Sequence, residues 1–297
     1  MYVSIRDEFI LWAWPTLEEG LRALELDAVE FNFERDCKAR LLSPLGEQTH
    51  LDLSDTAQAE KFRSQLEAKG VRASALLLGT NFNAPDVDAE IKWVVNAIRA
   101  AEIIGAEALR IDAIMRDADG WPLEKRINVF AECMKRVLDA TPDSKIEMGI
   151  ENHGVQGNNQ EFLTRVMDSA GSDRLGLTMD TGNFYWAGYP LDEVYGILEN
   201  LAPRTKHTHC KNICYPVEMR SVTREPGWQY GERACLIRKG DIDHGRVAAM
   251  LKKAGYKRDL CIEDESLWGP LPEQEKRVGM IDNARYLKEV VSAVEVA

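Results

Sequence analysis

The sequence contains no apolar run approaching the roughly 20 residues that a membrane-crossing helix needs, so no membrane span is expected. Positive charge is also scarce. Against 49 acidic residues stand 37 lysines and arginines, a net charge of -12, and this argues against a nucleic-acid backbone as the main partner, because phosphates call for a basic footprint. The six cysteines, Cys37, Cys133, Cys210, Cys214, Cys235 and Cys261, include no C-x-x-C pair and no dense framework. Reduced thiols in a cytoplasmic protein are the simplest reading. The start, Met1 to Arg6, lacks the basic and then apolar layout of a secretory signal, which agrees with that expectation. No G-x-G-x-x-G follows the first strand candidate, so the usual signature of an open dinucleotide-binding sheet is missing.

What remains is ordinary in bulk and regular in pattern. Hydrophobic residues make up 45% and charged residues 29%, enough to bury a large core. Short strand-like runs alternate with helical periodicity along the whole chain. Thr16 can cap a helix carrying Leu17, Leu21 and Leu24 on one face, and a second helix runs from about Asp55 to Lys69 before Gly70. Ile91, Val94, Val95, Ile98, Ala101 and Ile104 fall at helical spacing before Gly105, and Ile127, Phe130, Met134 and Val137 form another stripe. Further helices are predicted from about Asn159 to Ser169, Pro190 to Asn200, Asp243 to Ala254 and Glu273 to Val294. Strand followed by helix, eight times without a break in composition, predicts an α/β chain folded as a single (β/α)8 TIM barrel spanning residues 1–297. A polar stretch from about 212 to 240, with Pro216, Pro226, Gly227, Trp228, Tyr230 and the arginines Arg220, Arg224, Arg233 and Arg238, reads as a lid-like loop. Its arginines could clamp a phosphate, but a solvated charged loop is the better expectation.

Chemistry concentrates where the runs stop. Ile146 to Ile150 ends on Glu151, Leu175 to Met179 on Asp180, Thr205 to Thr208 on His209, and Leu260 to Ile262 on Glu263. Barrel enzymes carry their active residues at such strand ends. Three carboxylates and an imidazole form an oxygen-rich donor set suited to one divalent metal ion, Mn2+, Mg2+, Co2+ or Zn2+, which would also keep converging carboxylates ionised. Strand alternation brings His153 and Lys211 to the same faces as Glu151 and His209, and both are assigned to substrate oxygens; a hydrogen bond to a neighbouring group and a buried salt bridge are the other readings. Arg110 neutralises an anionic substrate or pairs with Asp112. His207 reads as a packed interior histidine, His50 and His244 as surface residues, and Glu30 as a candidate substrate contact. Trp14, Phe184, Trp186, Trp228 and Trp268 follow predicted strand ends, where they could stack on a sugar or pack the loops.

The segments Ile150-Glu151-Asn152-His153-Gly154, Met179-Asp180-Thr181-Gly182-Asn183, His207-Thr208-His209-Cys210-Lys211, Gly240-Asp241-Ile242-Asp243 and Ile262-Glu263-Asp264-Glu265 resemble, in order, the signatures of the sugar phosphate isomerase/epimerase family with the xylose isomerase-like TIM barrel. The resemblance implies one divalent metal on Glu151, Asp180, His209 and Glu263, with Glu151 and Glu263 as the catalytic acid–base pair. It implies isomerisation or epimerisation of a ketose, inosose or related hydroxyketone through an enediolate in carbohydrate metabolism. His153, Lys211, Arg110, Asn183, Trp14 and Trp186 are the expected substrate-binding residues. Two departures, Asn183 where family epimerases often have histidine and Asn212 where many members have aspartate, support the alternative of a lyase or dehydratase on a 3-oxo-sugar or cyclic polyol. The endonuclease branch of the same barrel needs additional histidines, and this chain has five. A non-catalytic sugar-binding subunit is the remaining reading. The expected partner is a small sugar or polyol, with homo-oligomerisation compatible with the fold.

Overall fold

The computed structural model describes residues 1–116, 118 and 120–296. Eight parallel strands carry the chain's chemistry to their carboxyl ends: β1 (Tyr2–Arg6), β2 (Ala28–Asn32), β3 (Arg72–Leu78), β4 (Ala108–Asp112), β5 (Glu147–Glu151), β6 (Leu175–Asp180), β7 (Thr205–His209) and β8 (Asp259–Ile262). Between and after them lie α1 (Leu17–Leu24), α2 (Thr56–Lys69), α3 (Val87–Ile104), α4 (Leu123–Asp139), α5 (Gln160–Ala170), α6 (Leu191–Leu201), α7 (His244–Lys253) and α8 (Glu273–Val296). Their starts follow from side-chain caps. Thr16, Asp55, Asp86, Asn159 and Asp243 each accept a hydrogen bond from a backbone N–H in the first turn that follows. Gly70 and Gly105 stop α2 and α3 in the left-handed conformation, at φ 64° and 76°, where a side chain would add strain. Among the described residues no helix is long and apolar enough to cross a membrane.

The chain forms two compact units, residues 1–30 with 179–297, and residues 31–178, so that β2 and β6 each run from one into the other. In the second unit β3, β4, β5 and β6 pair in parallel. Asp112 lies opposite Glu151, and Glu151 opposite Thr178, two residues before the end of β6. In the first unit β1 pairs with β8 from Tyr2 opposite Asp259 to Ile5 opposite Ile262, and with β2 at Arg6 opposite Glu30. A parallel bridge between Cys210 and Ile262 sets β7 against β8. Parallel neighbours need crossovers, and the helices supply them while covering strands that are apolar on both faces, such as Ala73 to Leu78.

Three features differ from the sequence reading. Residues 34–53 form an antiparallel hairpin, Lys38–Leu45 with Gln48–Asp52, whose alternation is broken by Pro44 and an irregular register between Arg40 and Leu45. It buries Ala39, Leu41, Leu42 and Leu51, and Gln65 of α2 accepts from the Leu42 N–H at 2.9 Å. A short helix, Asp7–Leu11, which the sequence reading did not include, follows β1 and buries Phe9 and Ile10.

The stretch 212–240 has an exposed surface but an ordered interior. Asn212–Ile213 pairs with Ala234–Cys235, and Arg224 is buried within it. Its guanidinium donates to the carbonyls of Met219, Val222, Tyr185 and Tyr189, and lies 4.5 and 4.4 Å from the ring centres of Tyr185 and Tyr215. Arg220 pairs with Asp241 at 2.9 Å, Arg238 with Asp282 and Glu289, and Arg233 donates to Gln229. These arginines are structural and do not form a phosphate clamp. Removing one guanidinium that satisfies several buried carbonyls leaves acceptors without donors, so Arg224→Ala is expected to lower stability by about 2–4 kcal/mol. Urea unfolding measures this, and a loss below about 0.5 kcal/mol, the range of an ordinary surface substitution, would show the loop is held by other contacts.

Candidate functional site

In the first unit the ends of β6, β7 and β8 deliver Asp180, His209 and Glu263, all buried, with one donor atom of each within 4.8 Å of the others. Asp180 is oriented by the chain that follows it. Its Oδ1 accepts from the N–H groups of Gly182 at 2.8 Å and Asn183 at 2.7 Å, while Oδ2 lies 3.2 Å from Lys211 Nζ. Glu263 is shared among cations: Oε1 accepts from the Arg6 guanidinium, and Oε2 lies 3.2 Å from Lys211 Nζ and 3.4 Å from His209 Nδ1. Lys211 also donates to Glu265 at 2.9 Å, and Tyr230, from the long loop, donates to the other oxygen of Glu265 at 2.7 Å. Burial lowers the Lys211 ammonium, yet the charges of Asp180, Glu263 and Glu265 outweigh it and hold the group well above its usual range. Burial pushes the Tyr230 phenol up as well, so it remains a proton donor. Two carboxylate oxygens and an imidazole nitrogen this close fit a divalent ion of the kind the sequence predicts.

Behind these donors lies a buried polar layer. His207 Nε2 is 3.0 Å from Glu30 Oε1, His209 Nε2 is 2.8 Å from Glu30 Oε2, and His207 Nδ1 is 3.0 Å from Asp259 Oδ1. Glu30 is fully buried, so the expected substrate contact there is not available. Burial raises its carboxyl, but the imidazoles of His209 and His207 beside it prevail and hold it well below the ordinary range. His207 is the packed interior histidine the sequence suggested.

In the second unit Glu151 accepts from Arg110, whose guanidinium also donates to Asp112 at 3.2 Å and to the Leu78 carbonyl at 3.2 Å. Asp112 in turn lies 3.1 Å from His153 Nδ1, and its Oδ1 accepts from the Ile114 N–H at 2.9 Å. Burial raises Asp112, while Arg110 and the His153 hydrogen bond lower it further, leaving it below its usual value. The same bond, with the Glu151 charge, raises His153 against the effect of burial. The His153 side chain keeps 40% of its surface exposed.

The other expected residues divide. Asn183 is buried, and its backbone N–H serves Asp180. Trp14 is 8% exposed with Arg277 over its ring at 5.8 Å, and Phe184 is core. Trp186 is partly exposed and receives the long loop through the Gly227 N–H, which donates to its carbonyl at 2.8 Å. Trp228 lies against Tyr215, and Trp268 is 74% exposed. Sequence reading missed Arg6 and Tyr230, and it passed over Glu265, although alternation from Glu263 could have found it. Asp264 faces the other way, accepting from Asn283 at 2.6 Å. Asn212 uses its amide to donate to the Ile237 and Ile242 carbonyls at 2.7 and 2.8 Å, which a carboxylate could not do.

His244 is not at the surface. It is buried, with Nε2 3.0 Å from Thr181 Oγ1, which donates to the Lys211 carbonyl and so ties the backbone after Asp180 to that after His209. His50 sits beside Glu34, so neither histidine extends the donor set.

Residues 19–290 match the model of the xylose isomerase-like TIM barrel family. The chain belongs to that family. Its eight parallel strands are the family's barrel strands, and its fold class is the α/β barrel expected from the sequence. An uncharacterised protein of Methanocaldococcus jannaschii is 25% identical over 138 residues, 45% of this chain and 42% of that protein, so the match spans under half of the relative's length. Among solved structures of this fold, the IolI protein with a bound zinc atom aligns over 99% of both chains at 14% identity with a TM-score of 0.72. L-ribulose 3-epimerase aligns over 99% of this chain and 96% of its own at 14% identity, with a TM-score of 0.69.

His244 gives the site region a pH signature. Its ordinary value is 6.5, and burial pushes it down to about 4. Between those values the unfolded chain binds a proton that the folded one refuses, so stability present above this window is lost as pH falls through it. His244→Gln is expected to flatten the fall of the unfolding temperature between these pH values; a slope equal to that of the wild type would contradict this.

Proposed function

We propose that the protein is a divalent-metal-dependent isomerase or epimerase acting on a ketose, inosose or related hydroxyketone through an enediolate. The convergence of Asp180, His209 and Glu263 in one buried cluster carries this reading. In the proposed site Glu151 completes the set; it ends β5, whose register places it opposite Thr178, two residues before Asp180 on β6. The charge balance also supports it. The carboxylates of Glu30, Asp180, Asp259, Glu263 and Glu265 outnumber Arg6, Lys211 and His207, the last held protonated between Glu30 and Asp259, a deficit that a divalent ion would reduce. The zinc atom of the IolI relative and the epimerase named among the neighbours agree with this chemistry.

A divalent ion held there would supply Lewis-acid stabilisation of negative charge developing on adjacent substrate oxygens. Glu151 and Glu263 are then the residues that remove and return the proton. Lys211 and His153 hold substrate oxygens, with Arg110, Asn183, Trp14 and Trp186 shaping the pocket around them. The whole chain acts as one barrel domain in the cytoplasm, with residues 212–240 as a lid latched through Tyr230 and Glu265. A second reading, elimination from a 3-oxo-sugar or cyclic polyol, is favoured by one observation: each proposed base is already paired to a guanidinium, Glu263 to Arg6 and Glu151 to Arg110, while the protonated Lys211 stands beside Glu263 as an acid for a leaving oxygen.

Elemental analysis of purified wild type beside Glu151→Ala and Glu263→Ala, with Mn2+ reconstitution, tests the reading. One ion per chain, lost in both variants, is expected; no saturable uptake by the wild type would sink it. With the Mn2+ form, incorporation of solvent deuterium into recovered ketose or inosose without loss of water or aglycone is expected, and an elimination product would move the assignment to the lyase.

A further inference from the structure

Asp180, Glu263 and His209 differ in one respect that the structure makes visible. The carboxylates offer lone pairs in any orientation, but a neutral imidazole offers one, and which nitrogen carries it depends on the partner of the other. His209 Nδ1 faces Glu263 Oε2 at 3.4 Å, and Nε2 faces Glu30 Oε2 at 2.8 Å. Two carboxylates therefore compete for the proton of one ring. If the proton sits on Nδ1, it joins His209 to Glu263 and removes donors from the cluster; if it sits on Nε2, the lone pair of Nδ1 is turned toward Glu263.

We infer that Glu30 is a positioning residue: its carboxylate holds the proton of His209 on Nε2 and thereby turns Nδ1 into a metal donor. The inference rests on His209 being a ligand in the proposed site. Glu30 has the shorter contact, and it is itself fixed. Its other oxygen is 3.0 Å from His207 Nε2, whose Nδ1 is 3.0 Å from Asp259 Oδ1. Asp259 accepts from Ser4 Oγ at 2.5 Å and from the Tyr256 hydroxyl at 3.0 Å. The two histidine rings stand edge to face, 5.3 Å apart at 81°, so each presents Nε2 to a different oxygen of the same carboxylate. Every member from Asp259 to His209 is buried, so losing one partner strands a buried polar group. A carboxylate that accepts from a ligating imidazole fixes the ring and raises its basicity, and losing such a partner typically weakens metal binding by roughly 10–100-fold.

The same atoms admit a competing arrangement. Glu30, His207, His209 and Cys261 also offer donor atoms within 4.8 Å of one another, which could hold a second ion. The separations of 2.8 and 3.0 Å between the imidazole nitrogens and Glu30 are hydrogen-bond lengths, and they favour the positioning role.

Cobalt(II) titration followed by visible absorption and equilibrium dialysis, on wild type, Glu30→Gln and Cys261→Ser, separates the outcomes. The expected result is one Co2+ per chain in all three, with affinity weakened about 10–100-fold only in Glu30→Gln. Side-chain 15N spectra of the metal-free wild type should show His209 protonated on Nε2, which tests the inference even if Glu30→Gln fails to fold. Wild type that takes up no Co2+ would overturn the metal site and the inference with it. Unchanged affinity in Glu30→Gln, or a proton on Nδ1 of His209, would overturn the inference alone. Uptake of two ions with a thiolate absorption band lost in Cys261→Ser would make Glu30 a ligand instead, and overturn it as well.

Discussion

A carboxylate held away from water survives as an anion only where cations or donors surround it, and this protein gathers several at the ends of parallel strands. The surroundings are local and specific. Arg6 ends β1 and serves Glu263 at the end of the neighbouring β8; Lys211 lies between Asp180, Glu263 and Glu265; Arg110 bridges Glu151 and Asp112 across β4 and β5. The anions Asp112, Glu151, Asp180 and Glu263 stand at or just past strand ends, so the arrangement of charges and the pairing of strands depend on each other. A slip of one residue in a strand would turn its anion toward the helices.

Because the charges are linked, the long loop is drawn into the same system. Lys211 holds Glu265, Glu265 accepts from Tyr230, and Tyr230 belongs to a segment whose interior is organised by Arg224. The strand-end carboxylate of Glu263 thus reaches Tyr230 of the loop through two side chains, Lys211 and Glu265.

The strand–helix order was legible because it rests on local signals: apolar runs, caps such as Asp55 and Asn159, and the glycines that end α2 and α3. The candidate donors Glu151, Asp180 and Glu263 stood out for a related reason, as each closes a short, mostly apolar run. What the sequence concealed depends on distant partners. Nothing beside Arg6 announces Glu263, 257 positions away, and nothing beside His244 announces Thr181. Glu30 read as a substrate contact at a strand end because its two histidine partners lie 177 and 179 positions later. Arg224 looked solvated because backbone carbonyls, its real partners, are invisible in a list of side chains.

The interior bracing of the long loop separates two tasks that loops usually combine. Arg224 and the Asn212 amide secure the backbone from within, while Val217 and Val222 stand at the surface, 72% and 41% exposed. Surface positions on a braced segment can accept new side chains without disturbing the strands beneath. The exposed rim can thus change while the charged centre beneath it stays as it is.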